Sequence, residues 1–158
     1  MGWGGRPALL LIDVCKAYWT PGSPLSLLGN PAAEEAPDSR PGLKVEYFRP
    51  DTADAGLFWL KSKSLDVWRN GDMRGLDYCM GELNPSQDDV VISKKYASAF
   101  FGTTLSTELQ TLNIDTLVIG GVSTSGCVRA TALNAMQNGF RPMVCLPLQL
   151  QGILSRVG

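Results

Sequence analysis

The chain contains no histidine. That removes the side chain used most often as a general base at neutral pH, and it rules out zinc sites of mixed Cys/His type. The four cysteines (Cys15, Cys79, Cys127 and Cys145) show no paired spacing and no C-x-x-C. They read as free thiols in a reducing, cytoplasmic setting, not as a disulfide framework or a metal cage. An excess of one charge is also missing. Fourteen Lys and Arg stand against 15 Asp and Glu, with no basic block, so neither nucleic acid nor a membrane surface is expected as a partner. No apolar run approaches the ~20 residues of a spanning helix. The run Ala8 to Ile12 is too short for the apolar core of a secretion signal. The glycine-rich stretch 120–126 has neither G-x-G-x-x-G spacing nor a Gly-Lys-Ser/Thr ending, which argues against a nucleotide cradle.

What is present describes one globular domain. At 158 residues, with 44% hydrophobic and 18% charged residues, the chain can bury a proper core, and residues 1–158 are expected to form a single domain. Ala8 to Asp13 is a short continuous apolar run, as in a strand buried on both faces. Further strands are expected over Leu43 to Phe48, Asp89 to Ser93, Asp115 to Val122 and Pro142 to Leu146. Thr103 to Leu112 has a helical apolar face of Leu105, Leu109 and Leu112, with Thr104 as its cap. A second helix is expected over 126–138, stopped by Gly139. Residues 20–42 are rich in Pro, Gly and Ser and permit at most a short helix from Pro31 to Ala36. Arg49 to Asn84 reads as a long surface excursion with local turns. Strands alternating with helices predict an α/β fold of three α-β-α layers, with a mostly parallel, doubly wound sheet of about five strands.

That architecture locates the chemistry. Ligands of open parallel sheets bind beyond the carboxyl ends of the strands. Asp13, Lys94 and Cys127 fall at three such ends. Cys127 follows an apolar strand and the turn Gly120 to Gly126, at the start of a helix. There unpaired N–H groups and the positive dipole end favour a thiolate and can hold an oxyanion. A carboxylate, an ammonium and a thiol make a nucleophilic site that needs no histidine. Asp13 takes and returns the thiol proton, and Lys94 lowers the thiol pKa and orients Asp13. The backbone N–H groups of Ser123 and Cys127 face the oxyanion. A lone cysteine is more often an inert small hydrophobe, and that reading is kept for Cys15, Cys79 and Cys145.

Three segments carry a resemblance. They are Leu-Leu-Leu-Ile-Asp13-Val-Cys-Lys-Ala-Tyr18, Val91-Ile-Ser-Lys94-Lys-Tyr-Ala-Ser-Ala-Phe-Phe-Gly-Thr-Thr-Leu105, and Thr116-Leu-Val-Ile-Gly-Gly-Val-Ser-Thr-Ser-Gly-Cys127-Val-Arg-Ala-Thr-Ala132. In this order they resemble the isochorismatase-like cysteine hydrolases. The runs Lys16 to Leu25 and Met136 to Met143 are most similar to the N-carbamoylsarcosine amidase type. The resemblance covers about two thirds of the chain. It implies that Asp13, Lys94 and Cys127 are the catalytic residues. Lys94 is preferred to Lys95 because the family lysine stands six residues before the phenylalanine matched by Phe100. It further implies a non-proline cis peptide at Val122–Ser123 and a substrate-binding set of Tyr18, Val122 and Phe100. The implied reaction is cysteine-dependent cleavage of a C–N bond in a small amide, ureido or N-carbamoyl compound, through a thioester-type intermediate.

The same resemblance implies no metal or organic cofactor, since relatives that use a metal bind it through histidines. It also implies a homo-oligomer. Two departures stand out. A crossover helix near 38–44 and the family's C-terminal loop, helix and sixth strand have no counterpart in this sequence. They keep open a non-catalytic remnant acting as an interaction subunit. A thiol redox protein pairing Cys127 with Cys15 is a further alternative. A vinyl-ether hydrolase is another, but relatives with that activity work without this cysteine.

Overall fold

A computed structural model describes residues 4–28, 42–45, 54–61, 63–69, 76, 87 and 89–145. The expected helix at 31–36, the junction at 38–41 and the chain beyond 145 lie outside the described residues, as does Cys79.

Five strands form one parallel sheet: β1 (Pro7–Ile12), β2 (Gly42–Val45), β3 (Ser93–Lys94), β4 (Thr116–Gly121) and β5 (Arg141–Val144), in the order β3-β2-β1-β4-β5. The fold is α/β with a parallel sheet, as the alternation of elements predicts. The two central strands are the two continuous apolar runs. β1 and β4 pair along six residues, from Pro7 opposite Thr116 to Ile12 opposite Gly121. Alternation along a strand sends side chains to opposite faces. Leu10, Ile12, Leu117 and Ile119 therefore join the main core cluster, and Leu11 and Val118 form a smaller one with Cys145.

Among the described residues, three α-helices accompany the sheet: α1 (Gly56–Leu60), α2 (Leu105–Thr111) and α3 (Arg129–Gln137). α2 and α3 supply Leu105, Leu109 and Ala135 to the main core. The Thr131 hydroxyl, fully buried on α3, accepts a hydrogen bond from the Ala99 N–H at 3.1 Å and ties the helix to the loop after β3.

Several boundaries differ from expectation. Leu112 is half exposed, because α2 ends at Thr111 and the chain turns away. Thr104 stands at the N-cap without a side-chain bond, and it is the Thr103 hydroxyl that accepts the Leu105 N–H at 3.3 Å. β3 has two residues and not five. Val90 and Val91 are exposed, and among the described residues β3 pairs with Lys44 and Val45 of β2. α3 is preceded by a π-helical turn, Thr124–Val128, in which the Val128 N–H reaches the Ser123 carbonyl at 3.2 Å.

The largest correction concerns Arg49 to Asn84. Its described part is no bare surface excursion. α1 and a 3-10 helix, Lys63–Trp68, bring Ala55, Leu65, Val67 and Trp68 into a second core cluster with Cys15, Ala17, Tyr18, Leu76 and Val122. This unit caps the carboxyl end of the sheet and is held by its own aromatic and aliphatic burial. Asp66 pins it internally, accepting from the Trp59 indole at 2.8 Å and the Arg69 guanidinium at 3.0 Å.

Candidate active site

The strand order reverses between β1 and β4, and crevices for ligands open at such switch points. Asp13 is the first residue past β1 and takes a left-handed backbone conformation, φ 52°. Aspartate tolerates that region better than most side chains. Gly121 ends β4 with φ 120°, and a Cβ there would collide with the Ile12 carbonyl oxygen. The two central strands can finish side by side only because that position is glycine. The Val122 N–H then donates to the Ile12 carbonyl at 2.9 Å, and the Val122–Ser123 peptide is cis, as the resemblance implies.

Lys94 arrives from the outer strand β3. Two strand spacings, about 10 Å, separate β3 from β1. The lysine stem and the shorter aspartate arm span them. Lys94 Nζ donates to Asp13 Oδ2 at 2.9 Å and to the Tyr96 carbonyl at 3.1 Å, with both side chains of the ion pair fully buried. The neighbouring lysine has a separate fate. Lys95 turns outward and pairs with Asp54 at 2.9 Å.

Cys127 lies in the π-helical turn at the start of α3. Asp13 Oδ1 makes no hydrogen bond of regular geometry among the described residues. The Cys127 thiol faces this carboxylate, and each group alters the ionisation of the other. Burial pushes the Asp13 carboxyl above its ordinary value, against the pull of Lys94. Burial also pushes the Cys127 thiol up to about 12. The negative Asp13 adds to that rise, and Lys94 opposes it. Lys94 lowers the thiol pKa as expected, but desolvation and the Asp13 charge outweigh the ammonium and the net shift is upward. The resting site therefore holds a protonated thiol.

The other sequence candidates are placed as follows. Tyr18 and Val122 are buried in the second core cluster, next to the Asp13 turn and the 123–128 turn. Phe100 packs on the main core, its ring 5.9 Å from that of Phe140. Gly126 lets the turn close over Ser123, whose hydroxyl lies 2.7 Å from where a Cβ would stand. Two contacts carried no sequence signal. One is the Tyr96 carbonyl on Lys94. The other is the Trp68 indole, which donates to Cys15 Sγ at 3.4 Å. A metal held through histidines finds no such ligand in this chain, and among the described residues no three His, Cys, Asp or Glu side chains come together.

The structure is an α/β fold with a parallel sheet, and a carboxyl, an amine and a thiol are gathered at the switch point of that sheet. The Isochorismatase domain model matches residues 62–145, and the chain belongs to the isochorismatase family. It is 39% identical over 155 residues to maleamate amidohydrolase of Pseudomonas putida, covering 91% of this chain and 72% of that protein. It is 31% identical over 159 residues to N-carbamoylsarcosine amidase of Arthrobacter sp., covering 91% of this chain but 59% of the relative's length. A cysteine hydrolase structure from Pseudomonas syringae pv. phaseolicola 1448A superposes with a TM-score of 0.74 at 22% identity. That superposition covers 88% of this chain and 70% of the neighbour, and it shows the shared fold.

Proposed function

We propose that this protein is a cysteine-dependent amidohydrolase that cleaves a C–N bond in a small amide, ureido or N-carbamoyl compound. The observation that carries the reading is the buried Asp13–Lys94 pair at 2.9 Å, with one carboxylate oxygen left for the Cys127 thiol. The names of the two relatives, an amidohydrolase for maleamate and an amidase for N-carbamoylsarcosine, support the substrate class.

In this mechanism the thiol does not wait as a thiolate. As the sulfur attacks the carbonyl carbon, its proton passes to Asp13, which Lys94 orients. The oxyanion is received by the backbone N–H groups of Ser123 and Cys127. Protonated Asp13 then gives its proton to the departing nitrogen, and ammonia leaves if the amide is primary. Water attacks the resulting thioester with Asp13 again as base, which restores the thiol. Tyr18, Val122 and Phe100 are proposed to contact the substrate, and no metal or cofactor takes part. The reading places the work in a single domain, 1–158, in the cytoplasm, within a homo-oligomer. Exposed Leu133 and Met136 on α3 support an assembly.

The test is ammonia release from a panel holding maleamate, N-carbamoylsarcosine and simple ureido acids. Activity that disappears in Cys127→Ser and Asp13→Asn but persists in Cys145→Ser supports the proposal. Equal rates in all variants would discard it.

A further inference from the structure

The cap formed by residues 54–61 and 63–69 touches the turn after Asp13 and the turn after Lys94. On one side, the Trp68 indole donates to Cys15 Sγ at 3.4 Å, two residues past Asp13, and the Cys15 N–H in turn donates to the Asp13 carbonyl at 3.0 Å. The Trp68 ring also lies 5.9 Å from that of Tyr18, in the same turn. On the other side, Asp54 pairs with Lys95 at 2.9 Å, and Phe58 stands 6.3 Å from the Tyr96 ring. Gly56, with φ 57°, lies so close to Tyr96 that a Cβ there would stand 2.6 Å from its hydroxyl oxygen. The Tyr96 carbonyl is the second acceptor of the Lys94 ammonium. Phe101, 5.0 Å away, confines the tyrosine ring on its other side.

From this double grip we infer that the cap positions the Asp13–Lys94 pair, with Trp68 and the Gly56–Tyr96 contact as its positioning residues. None of them touches reacting atoms. Trp68 acts through Cys15 on a backbone turn held in a sparsely populated region, and Gly56 acts through Tyr96 on the carbonyl that fixes the lysine head. The inference deepens the amidohydrolase reading and rests on it for its use in catalysis, but the geometry it claims is measurable without substrate.

The readout is the Lys94 ammonium itself. In protein labelled with 15N-lysine, a buried, doubly bonded ammonium gives a slowly exchanging proton signal, assigned by its absence in Lys94→Met. Trp68→Phe keeps the ring and removes the donor, and it is expected to speed exchange of that signal about tenfold, the worth of one lost hydrogen bond. Gly56→Ala is expected to do the same by pushing on the Tyr96 hydroxyl. Gly56→Ala/Tyr96→Phe, compared with Tyr96→Phe alone, is expected to recover slow exchange, because the colliding atom is gone. Leu109→Ala, which weakens the main core away from the cap, controls for mere loss of stability and is expected to leave the signal unchanged.

Exchange unchanged in Trp68→Phe and Gly56→Ala, or altered as much in Leu109→Ala, overturns the inference. So does a double variant as fast as Gly56→Ala. Asp13→Asn separates the two levels. If it leaves the Lys94 signal intact, the ion pair and the amidohydrolase mechanism fall together. If it abolishes the signal and the cap variants do not, only the positioning role falls.

Discussion

Lys94 Nζ and Asp13 Oδ2 meet at 2.9 Å across 81 residues of sequence, with neither side chain exposed. Two charges out of water hold only while both are present. Removing one partner of such a pair costs about 3–5 kcal/mol. Lys94→Met is therefore expected to destabilise the fold by about that much in denaturant unfolding at pH 7. Asp13→Asn/Lys94→Met is expected to recover part of it. The pH dependence of the single variant follows from its sign. The folded carboxyl already lies above its ordinary value, and without Lys94 it lies higher still. A folded state that holds its proton more tightly is favoured at low pH and loses that advantage as pH rises through the folded pKa. The penalty of Lys94→Met should thus shrink on acidification. A penalty that does not shrink as the pH is lowered would contradict the buried pair.

Cys127 offers a second titration. Its thiol is raised from an ordinary 9.0 to about 12, so the folded state keeps a proton that the unfolded chain releases. The associated stability is fully present below pH 9 and is lost as pH climbs toward 12. Unfolding measured at pH 8, 9 and 10 should show wild-type stability falling over the upper part of that series. Cys127→Ala should fall less steeply. Parallel slopes for the two proteins would mean that the thiol is not desolvated as described.

Nucleophile availability and catalysis should separate in Asp13→Asn. Desolvation is the largest cause of the raised thiol pKa, and the Asp13 charge is the next. Deleting that charge should populate the thiolate, so iodoacetamide should modify Cys127, identified by peptide mass, several times faster at pH 8. Ammonia release should nevertheless vanish, because the group that carries the proton to the leaving nitrogen in the proposed mechanism is gone. In the wild type, modification should rise about tenfold per pH unit between pH 7 and pH 10, as for a thiol titrating above that range. Slower alkylation in Asp13→Asn would place the carboxylate out of contact with the sulfur.

These particulars also show which parts of the molecule could be read from its sequence. β1 and β4 were legible because both are continuous apolar runs, and a strand buried on both faces has that signature. Asp13, Lys94 and Cys127 were legible as neighbours because parallel topology sends every carboxyl end to one edge. Other features depend on what surrounds a residue and not on its local pattern. The cap around Trp68 mixes aromatics with turn residues and has neither a helical nor a strand period, so its burial could not be seen. Val90 and Val91 look like strand residues, yet both are exposed, and among the described residues the β2–β3 ladder begins only at Ser93. The net rise of the Cys127 thiol is another such feature: Lys94 lowers it as its position implies, but desolvation outweighs that pull. Helix position and a nearby lysine can be read from sequence, whereas the extent of desolvation depends on packing.

The close approach of β4 to β1 gives a last prediction, with its control built into the chain. Gly121 and Gly102 both have positive φ, 120° and 70°. At Gly102 a Cβ would meet nothing within 4 Å, so Gly102→Ala should cost only the backbone preference, about 1 kcal/mol. At Gly121 the added carbon would strike the Ile12 carbonyl oxygen and stand 2.7 Å from the Ile12 nitrogen. Backbone cannot yield as a side-chain tip can, so the strand ends must part. The hydrogen bond from Val122 to Ile12 and the turn leading to Cys127 would move with them. Gly121→Ala is expected to lose about 3 kcal/mol or more in denaturant unfolding, combining backbone strain with a clash at the sheet centre. Because Asp13 directly follows Ile12, even a folded fraction of this variant should lose most ammonia release. If Gly121→Ala proves no worse than Gly102→Ala in both measurements, the two strands do not converge as described, and the placement of Cys127 beside Asp13 fails with them.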